Sequence, residues 1–234
     1  MEIDSQKTIR ACAPAPAAGA EEVICRFPER VQGRGKSAEK LKKTIHRILL
    51  EHDSVIASSV TEKDGEALVA AFPGGEYDPA AGVFLVAPQK IRPCGVFIVT
   101  AGEEDLPAAL EARYALAACG AAGTIERTGG TARPESLAGL SDRLSCAAAC
   151  VAVAGADSAL PAAVSGMVAV PVIALPVSLP GSGSGAWELL PGILRSGAPG
   201  LAVTLPDDGI GAGFAAARII NGTTGRTDIS SQQQ

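Results

Sequence analysis

The stretch that decides the fold is AAACVAVAGADSALPAAVSGMVAVPVIALPV, from Ala147 to Val177. Its apolar run Ala149 to Ala154 predicts a buried strand. A glycine turn that carries Asp157 then leads into a helix of small residues from Ser158, and a second apolar strand follows at Val170 to Leu175. Two apolar strands joined by a helix are typical of a βαβ unit whose parallel strands are covered on both faces.

The same stretch could be read as a membrane span, because no charged residue occurs from Ser158 to Trp187. Four prolines argue against that reading, since a proline inside a helix loses a hydrogen bond and clashes with the preceding turn. They are Pro161, Pro171, Pro176 and Pro180. The sequence therefore predicts a globular βαβ unit and no membrane partner.

The flanking segments repeat the same pattern of strand and helix. The predicted strands are Gly95 to Thr100, Gly123 to Thr128 and Gly200 to Leu205, and the predicted helices are Leu106 to Cys119, Pro134 to Ser145, Gly185 to Ser196 and Gly211 to Asn221. Such β-α repeats with short turns predict a three-layer, doubly wound parallel sheet of the flavodoxin type with right-handed crossovers.

The amino-terminal part has a different pattern. Residues 1–24 are Ala/Pro-rich and predict a disordered leader. Residues 25–90 predict a small α/β module, built from Ser37 to His52 (amphipathic helix), Ser54 to Val60 (strand), Glu62 to Ala71 (helix) and Val83 to Ala87 (strand). The parallel-sheet domain is then expected at residues 91–223, followed by a disordered tail at 224–234.

One glycine cluster in this module resembles a phosphate loop. It lies in FPERVQGRGKS, Phe27 to Ser37. The P-loop spacing requires a glycine five residues before Gly35, where this chain has Arg30. We therefore interpret the segment as an exposed turn with Ser37 as the helix N-cap.

The composition limits the class of protein. Hydrophobic residues make up 47% of the chain but aromatic residues only 3%, so the core must be built from Ala, Val, Leu and Ile. A net charge of -5 without a basic block argues against a nucleic-acid partner. The six cysteines show no CxxC spacing, which argues against a zinc site or a disulfide framework. No apolar signal segment follows Met1, so we expect a cytoplasmic protein.

Four predicted turns fall at the carboxyl edge of the sheet, and each precedes a helix. They are Gly102 to Asp105, Gly155 to Ser158, Ser178 to Gly185 and Asp207 to Gly209. The free N–H groups and positive dipole end of a helix N-terminus favour phosphate. We therefore predict a nucleotide or phosphosugar pocket, with the substrate-binding residues Gly102, Asp105, Gly155, Ser158, Ser178, Gly183, Asp208 and Gly209.

The acids of these turns have two possible roles. Asp105, Asp157 and Asp208 could bind ribose hydroxyls or transfer protons, and Asp157 is the candidate catalytic residue. Each could equally serve as a helix cap, because caps use the same residue types. The sequence leaves both roles open.

Three motifs carry a resemblance to a known family: VTAGEEDLPAALEA, VAGADSALPAAVSGMVAVPVIALPVS and APGLAVTLPDDGIGAGFAAARI. They resemble the carboxylase domain shared by the PurE and LarB families, and FPERVQGRGKS is similar to the LarB amino-terminal segment. The LarB resemblance implies carboxylation and hydrolysis of nicotinic acid adenine dinucleotide, the first step towards the nickel-pincer nucleotide. It implies CO2 or bicarbonate as co-substrate, Mg2+ as a candidate cofactor, and a homo-oligomer, commonly an octamer. A PurE-type aminoimidazole ribonucleotide carboxylase or mutase of purine biosynthesis is an alternative.

The resemblance also shows departures from the family pattern. LarB-like enzymes place a nucleophilic cysteine before Ala-Pro-Gly, and this chain has Gly197 there. The family's amino-terminal aspartate aligns with Ala18, whereas its acid in the third-strand turn is kept as Asp157. The PurE-type reaction uses a histidine, and none follows His52.

Other cysteines are not expected to replace the missing one. Cys150 should be buried in a strand, Cys119 lies at the far end of a helix, and Cys94 precedes the first strand of the domain. Two hypotheses of different classes therefore stand. The chain is either a LarB-like enzyme with impaired or altered chemistry, or a nucleotide-binding pseudoenzyme that acts as a regulatory partner.

Overall fold

The computed structural model of the chain describes residues 27–155, 157–179 and 185–230, and in the last helix it describes side chains as far as Asn221. The predicted leader with Ala18 and the candidate Gly183 lie outside the described residues. The strands are β1 (Glu29–Gln32), β2 (Val55–Ser58), β3 (Gly75–Asp78), β4 (Val83–Val86), β5 (Arg92–Thr100), β6 (Ala121–Arg127), β7 (Ala149–Ala154), β8 (Val172–Pro176) and β9 (Leu201–Val203). The helices are α1 (Ala38–Leu49), α2 (Glu62–Ala71), α3 (Leu106–Ala118), α4 (Pro134–Ala138), α5 (Ser141–Leu144), α6 (Leu160–Met167), α7 (Ala186–Leu194) and α8 (Gly209–Ser230).

The larger sheet has five parallel strands in the order β6-β5-β7-β8-β9. This is the flavodoxin-like order, and the predicted fold class is confirmed. The chain moves outward from β5 to β6 and then returns to β7 on the other side of β5. The crevice between the carboxyl ends of β5 and β7 is therefore the topological switch point, where open α/β sheets bind their ligands.

The smaller sheet has the order β1-β2-β4-β3, with β1 and β2 parallel and the other pairs antiparallel. One face packs on α1 and α2 through buried residues that include Leu41, Ile45 and Leu68. The other face packs on α3 and α8, where Ile56 and Leu85 belong to the same buried cluster as residues of both helices. We call residues 27–90 the N-terminal module.

Helices α3 and α8 lie between the two sheets. The buried side chains that line them towards the large sheet are mostly alanines: Ala108, Ala109, Ala112, Ala212, Ala216 and Ala217. The face towards the module contributes Ala115, Ala118 and Ile210. Because each helix is covered on two sides, small side chains let both sheets approach. This arrangement explains a core that is rich in alanine and poor in aromatic residues.

Four elements differ from the sequence-based prediction. Strands β1 and β3 were not predicted, because each is an edge strand with mainly polar residues and no apolar alternation. The predicted helix Pro134 to Ser145 is two short helices, interrupted at Gly139, a poor helix former. Helix α8 continues to Ser230, beyond its predicted end at Asn221 and into the predicted tail.

The segment predicted as an exposed turn before Ser37 begins with β1. Ser37 does occupy the N-cap position of α1, but its side chain makes no capping hydrogen bond. Instead, Asp64 Oδ1 accepts the N–H of Ala38 at 3.1 Å. Asp64 from α2 therefore satisfies a free N–H at the start of α1.

Candidate functional site at the carboxyl edge of the large sheet

All five strands of the large sheet run in the same direction, so the turns that follow them share one edge. Four are the predicted turns after β5, β7, β8 and β9. The fifth, residues 128–133 after β6, was not among the predicted site residues. Its sequence TGGTAR carries an ordinary turn signal, so this part of the site could have been found from the sequence.

Asp105 and Gly155 meet at the switch point. Asp105 is fully buried, and its Oδ2 accepts the N–H of Ala101 at 3.1 Å, which ties the turn after β5 to the start of α3. A Cβ atom on Gly155 would overlap Oδ1 of Asp105 and would lie 2.9 Å from Leu179. Glycine at position 155 therefore leaves the space that the carboxylate of Asp105 occupies, and any side chain there would clash with it.

A buried hydroxyl lies close to the same point. Thr100 is the last residue of β5 and is fully buried, and within the described residues its Oγ1 has no hydrogen-bond partner. The neighbouring Thr128 donates its Oγ–H to the carbonyl of Thr100 at 3.2 Å and accepts the N–H of Gly130 at 2.9 Å. The switch point thus contains buried polar side chains, whereas most buried side chains of the protein are apolar.

Asp157 joins the turns after β6 and β7. Its Oδ2 accepts the N–H and the Oγ–H of Thr131 at 2.5 and 2.7 Å, and its Oδ1 accepts the N–H of Ala159 at 3.0 Å. Burial raises the pKa of this carboxyl, but hydrogen bonds from Thr131, Ala159 and Leu160 outweigh that effect and hold the pKa below its usual value. Asp157 is therefore ionised at neutral pH and is unsuited to donating a proton.

Gly130 makes the contact between Asp157 and Thr131 possible. Its φ of 69° lies in the left-handed region, which side chains rarely adopt. A Cβ atom there would also lie 2.6 Å from Oδ2 of Asp157. The glycine is thus required by both its backbone conformation and the space around it.

Ser178 and Asp207 join the turns after β8 and β9. Asp207 accepts the N–H of Ser178 at 2.7 Å and its Oγ–H at 2.8 Å. The same Oγ accepts the N–H of Ala186, the first residue of α7, at 2.8 Å. Ser178 therefore serves as a cap for α7 in addition to being tied to Asp207.

Asp208 connects the last turn to the N-terminal module. Its Oδ1 accepts the N–H of Gly211 at 3.0 Å, which caps α8, and accepts Nη1 of Arg30 at 2.6 Å. A Cβ atom on Gly209 would lie 2.6 Å from the carbonyl of Ala108. Gly209 is therefore required for close packing of α8 on α3, a structural reason for a residue that was predicted to bind substrate.

The two remaining candidates of the carboxyl edge show no such contacts. Gly102 is half-buried in the turn after β5, and Ser158 is exposed at the start of the turn before α6. Within the described part of the chain, the side chain of Ser158 makes no hydrogen bond. Both stay available to a ligand at this edge.

Two of the three acids for which the sequence left a capping role open do cap helices, whereas the side chain of Asp105 makes no capping hydrogen bond at the start of α3. Asp157 and Asp208 satisfy backbone N–H groups at the starts of α6 and α8, and Ser178 does so for α7. These contacts favour the capping role that the sequence left open, and a phosphate at these N-termini would have to displace a side chain. Carboxylate oxygens keep a further lone pair, however, and can accept hydrogen bonds from ligand hydroxyls.

Two grooves flank the domain at opposite edges. One of about 370 Å³ adjoins Thr131 at the carboxyl edge and is lined by Thr131, Pro134, Leu137, Ala138, Ser141, Ala163 and Met167. The other, of about 1010 Å³, lies at the amino edge, between the module and the end of α3. We favour the smaller groove as the ligand site because it adjoins the switch-point turns, and its volume and mainly apolar lining are typical of small-molecule sites.

Gly197 lies at the edge opposite to these turns. It precedes β9, whereas Asp207 and Asp208 follow that strand. The extended chain from residue 200 to 205 separates the two edges by roughly 16 Å at the usual rise of a strand. A cysteine at position 197 would therefore not lie beside a ligand at the carboxyl edge of the same protomer.

The cysteines of the domain are placed much as the sequence predicts. Cys150 is buried in β7, and burial raises its pKa to about 11. Burial raises the pKa of Cys119, at the end of α3, to about 12, and nearby Arg218 lowers it only in part. Burial also raises the pKa of Cys94 at the amino edge. None of these three is a thiolate at neutral pH.

The described part of the chain contains neither a metal-binding cluster nor a membrane-spanning helix. Among residues 27–155, 157–179 and 185–230, no three His, Cys, Asp or Glu side chains lie close enough to hold a metal ion. In those same ranges no helix combines the length and the hydropathy needed to cross a bilayer.

Comparisons with known proteins agree with this architecture. Residues 93–232 match the AIR carboxylase family, and residues 22–89 match the LarB/PurE-like N-terminal domain. An uncharacterised protein of Methanocaldococcus jannaschii is 30% identical over 204 residues, which cover 82% of this chain and 78% of that protein. The matches span the N-terminal module and the parallel-sheet domain.

Proposed function

The chain belongs to the LarB family, with a PurE-like AIR carboxylase domain, and from this premise we propose that it binds a pyridine dinucleotide at the carboxyl edge of the large sheet. The family membership supports a function in the carboxylase class. Nicotinic acid adenine dinucleotide is the ligand we propose, with CO2 or bicarbonate as co-substrate. The observation that carries the proposal is the polar switch point formed by Thr100, Asp105 and Gly155.

The groove beside Thr131 offers a place for a ring of such a ligand. Its lining is mainly apolar, as the face of a flat heterocycle requires, and hydroxyls of Thr131 and Ser141 stand within it. The carboxylates of Asp157 and Asp207 lie on the turns after β7 and β9, with the turn after β8 between them, and could accept hydrogen bonds from ribose hydroxyls. In this arrangement the acids bind the sugar.

The negative charge of this edge would repel the phosphates of a dinucleotide. The turns carry several carboxylates, and Arg127, one of the nearby cations, is already paired with Glu103. Bringing a pyrophosphate close to these acids would cost free energy through repulsion unless a cation lies between them. We therefore propose Mg2+ as a companion of the nucleotide.

A second function, that of a nucleotide-binding pseudoenzyme, is favoured by Gly197. The family's nucleophilic cysteine is absent from that position, and Cys94, Cys119 and Cys150 all have raised pKa values. Loss of the nucleophile would leave the binding edge intact. The two candidates therefore share a ligand and differ in turnover.

One experiment separates the candidates. The protein is incubated with nicotinic acid adenine dinucleotide, bicarbonate and Mg2+, and the products are identified by mass spectrometry, while titration calorimetry measures binding of the same dinucleotide, NAD and AMP. An enzyme gives binding and a carboxylated or hydrolysed product, and a pseudoenzyme gives binding alone. Absence of heat with every ligand at millimolar concentration contradicts both.

We expect the chain to form a homo-oligomer of the octameric kind described for the family. Trp187 and Leu194 on α7 and Leu205 after β9 are each 68% exposed, which leaves apolar surface at one side of the large sheet. Sedimentation should give a mass several times the 23.5 kDa of the protomer, and Leu194→Asp should lower it. Leu50→Asp, at an equally exposed leucine of the module, is the control and should leave the mass unchanged. A 23.5 kDa species of wild type at micromolar concentration contradicts the expectation.

Gly197→Cys is expected to give labelled-bicarbonate incorporation above that of wild type only in the assembled protein. A protomer's own position 197 is at the wrong edge, so the sulfur can act only on a ligand held by another copy. The gain should be partial, because Ala18 replaces an aspartate and general acid–base help is typically worth about 10²–10⁴-fold. A thiol at position 197 has open space around it, although the φ of 61° is strained for a side chain.

Gly200→Cys is the matched control for this prediction. Gly200 also has a positive φ, of 76°, and open space at its Cβ, so the two variants carry similar strain. Incorporation should rise in Gly197→Cys, should stay at the wild-type level in Gly200→Cys, and should be lost when Leu194→Asp is added. If wild type incorporates as much label as Gly197→Cys, another residue performs the chemistry.

A further inference from the structure

Arg30 is the residue through which β1 of the module contacts the carboxyl edge of the large sheet. Its Nη1 donates to Oδ1 of Asp208 at 2.6 Å, and its Nε donates to Oγ of Ser58 on β2 at 3.3 Å. Ser58 in turn donates to Oε1 of Gln32 at 3.1 Å. The guanidinium is thus held on both sides, by the paired strands of the module and by a carboxylate of the other domain.

Asp207 and Asp208 form the turn that receives this contact. The N–H of Asp207 donates to the carbonyl of Pro176, the last residue of β8, at 2.9 Å. Asp207 has a φ of 58°, which is uncommon for a residue other than glycine. Such a conformation costs free energy and persists only where surrounding contacts hold it. Arg30 supplies one of those contacts from outside the domain.

The turn then holds Ser178, the second residue after β8, and through it the start of α7. Asp207 accepts both the N–H and the Oγ–H of Ser178, and Ser178 accepts the N–H of Ala186 at the start of α7. An uninterrupted series of contacts therefore runs from the module to the candidate ligand-binding edge. It passes from Arg30 to Asp208, along the chain to Asp207, and then through Ser178 to α7.

Further charges surround the guanidinium. Glu111 on α3 lies beside the same turn, where a Cβ atom on Gly209 would be 2.8 Å from its Oε2, and its charge interacts with those of Arg30, Asp207 and Asp208. Glu111 and Asp208, from two elements, therefore place negative charge near one arginine of the module. Without the positive charge of Arg30, these acids would repel one another across the turn.

We propose that Arg30 is a positioning residue, through which the N-terminal module fixes the turn of Asp207 and Asp208, and with it Ser178 and the first turn of α7, at the carboxyl edge of the large sheet. The contacts exist in the ligand-free chain. The consequence for ligand affinity rests on the proposed function. The module thereby has a role at the ligand site besides covering α3 and α8.

Amide hydrogen exchange measured on the full chain tests the coupling without any ligand. Arg30→Met keeps the length of the side chain and removes its charge and donors, whereas Arg34→Met makes the same change at an exposed arginine of the same segment. We expect exchange at Ser178 and Ala186 to be about tenfold faster in Arg30→Met, because a lost charge-assisted hydrogen bond weakens local protection. Exchange in β7 should stay unchanged, and Arg34→Met should match wild type throughout.

Two further variants keep the test decisive if Arg30→Met fails to fold. Asp208→Asn retains a good cap for Gly211 but loses the charge pair with Arg30, so it should accelerate exchange at the same two amides. Arg30→Lys keeps the positive charge but lacks the Nε–H that Arg30 donates to Ser58. Exchange at Ser178 and Ala186 should therefore be slower in Arg30→Lys than in Arg30→Met. Unchanged exchange at Ser178 and Ala186 in Arg30→Met or Asp208→Asn would overturn the proposal, as would equal acceleration in β7.

The fluorescence of Trp187 gives an independent readout. It is the chain's single tryptophan, it is 68% exposed, and it directly follows Ala186. Acrylamide quenching of Trp187 should differ from wild type in both Arg30→Met and Ser178→Ala. The double variant should differ little from either single variant, because both substitutions interrupt the same series of contacts from Arg30 to α7. Fully additive changes would contradict the series of contacts.

Calorimetry with nicotinic acid adenine dinucleotide then tests the consequence for the ligand. Arg30→Met should bind about tenfold more weakly than Arg34→Met if the loop contributes to the site. Equal affinity in the two variants would overturn the positioning role at the ligand site. If wild type binds no dinucleotide, the proposed function fails, and the exchange and quenching results still decide the coupling.

Discussion

Gly213→Ala is expected to lower the free energy of unfolding by about 1–3 kcal/mol, the usual cost of overpacking a well-packed core. The added Cβ would overlap the carbonyl oxygen of Ala112 and would lie 2.7 Å from Cβ of Ala115. A backbone carbonyl cannot rotate away as a side chain can. The two helices cannot separate freely either, because α3 and α8 are held between two sheets.

Gly192→Ala is the control for this prediction. Gly192 lies inside α7, where an added Cβ meets no atom within 4 Å. Alanine there should raise the free energy of unfolding by about 0.5–1 kcal/mol, because glycine is a poor helix former. Chemical denaturation of both variants measures the difference. A Gly213→Ala protein as stable as wild type would show that α3 and α8 are not packed this closely.

The close crossing of α3 and α8 also explains what the composition could and could not predict. Low aromatic content indicated a core built from Ala, Val, Leu and Ile. The sequence did not indicate that two sheets would cover the same pair of helices. That arrangement depends on a buried cluster that includes Ile56, Ala115 and Ile210, which are far apart in the chain.

The parallel strands were the most predictable elements. The strand Ala149–Ala154 agrees with the prediction at both ends, because a fully buried strand shows as an uninterrupted apolar run. The edge strand Glu29–Gln32 has a single buried residue, Val31, and gives no such signal. Local pattern therefore identifies central strands and misses polar edge strands.

The site was predictable in position but not in its contacts. The turns after the strands were found because Gly, Ser and Asp follow apolar runs. The hydrogen-bond partners of the acids in these turns could not be predicted from the local pattern. Asp157 binds Thr131, which is 26 positions away in the sequence, and Asp208 binds Arg30, which is 178 positions away. The edge at which Gly197 lies follows from connectivity alone, because a residue that precedes a parallel strand lies at the amino edge of the sheet.

Glu111 was not among the predicted site residues, and it gives the second large expected effect. Burial raises the pKa of this carboxyl to about 7, although Arg30 and the N–H of Gly209 act to lower it. Asp208 and Asp207 repel the ionised form and add to the increase. The folded protein thus binds a proton more tightly at Glu111 than the unfolded chain does, whose carboxyl has a pKa near 4.5.

The sign of the pH dependence follows from this difference. A raised pKa in the folded state gives stability that is fully present below the pKa of the unfolded chain and is lost as the pH rises through about 7. Wild type should therefore lose stability relative to Glu111→Gln between about pH 4.5 and pH 7. Each unit of pKa difference corresponds to about 1.4 kcal/mol, and partial exposure of the carboxyl reduces the total to about 1–3 kcal/mol.

Denaturant unfolding of wild type and Glu111→Gln at a series of pH values measures this effect. Glutamine is neutral at every pH and keeps an oxygen that can accept the N–H of Gly209, so Glu111→Gln should be the more stable protein at pH 8. Glu104→Gln, at an exposed acid of the turn after β5, serves as control and should run parallel to wild type. A constant difference between wild type and Glu111→Gln from pH 5 to 8 would mean that Glu111 titrates like an exposed acid.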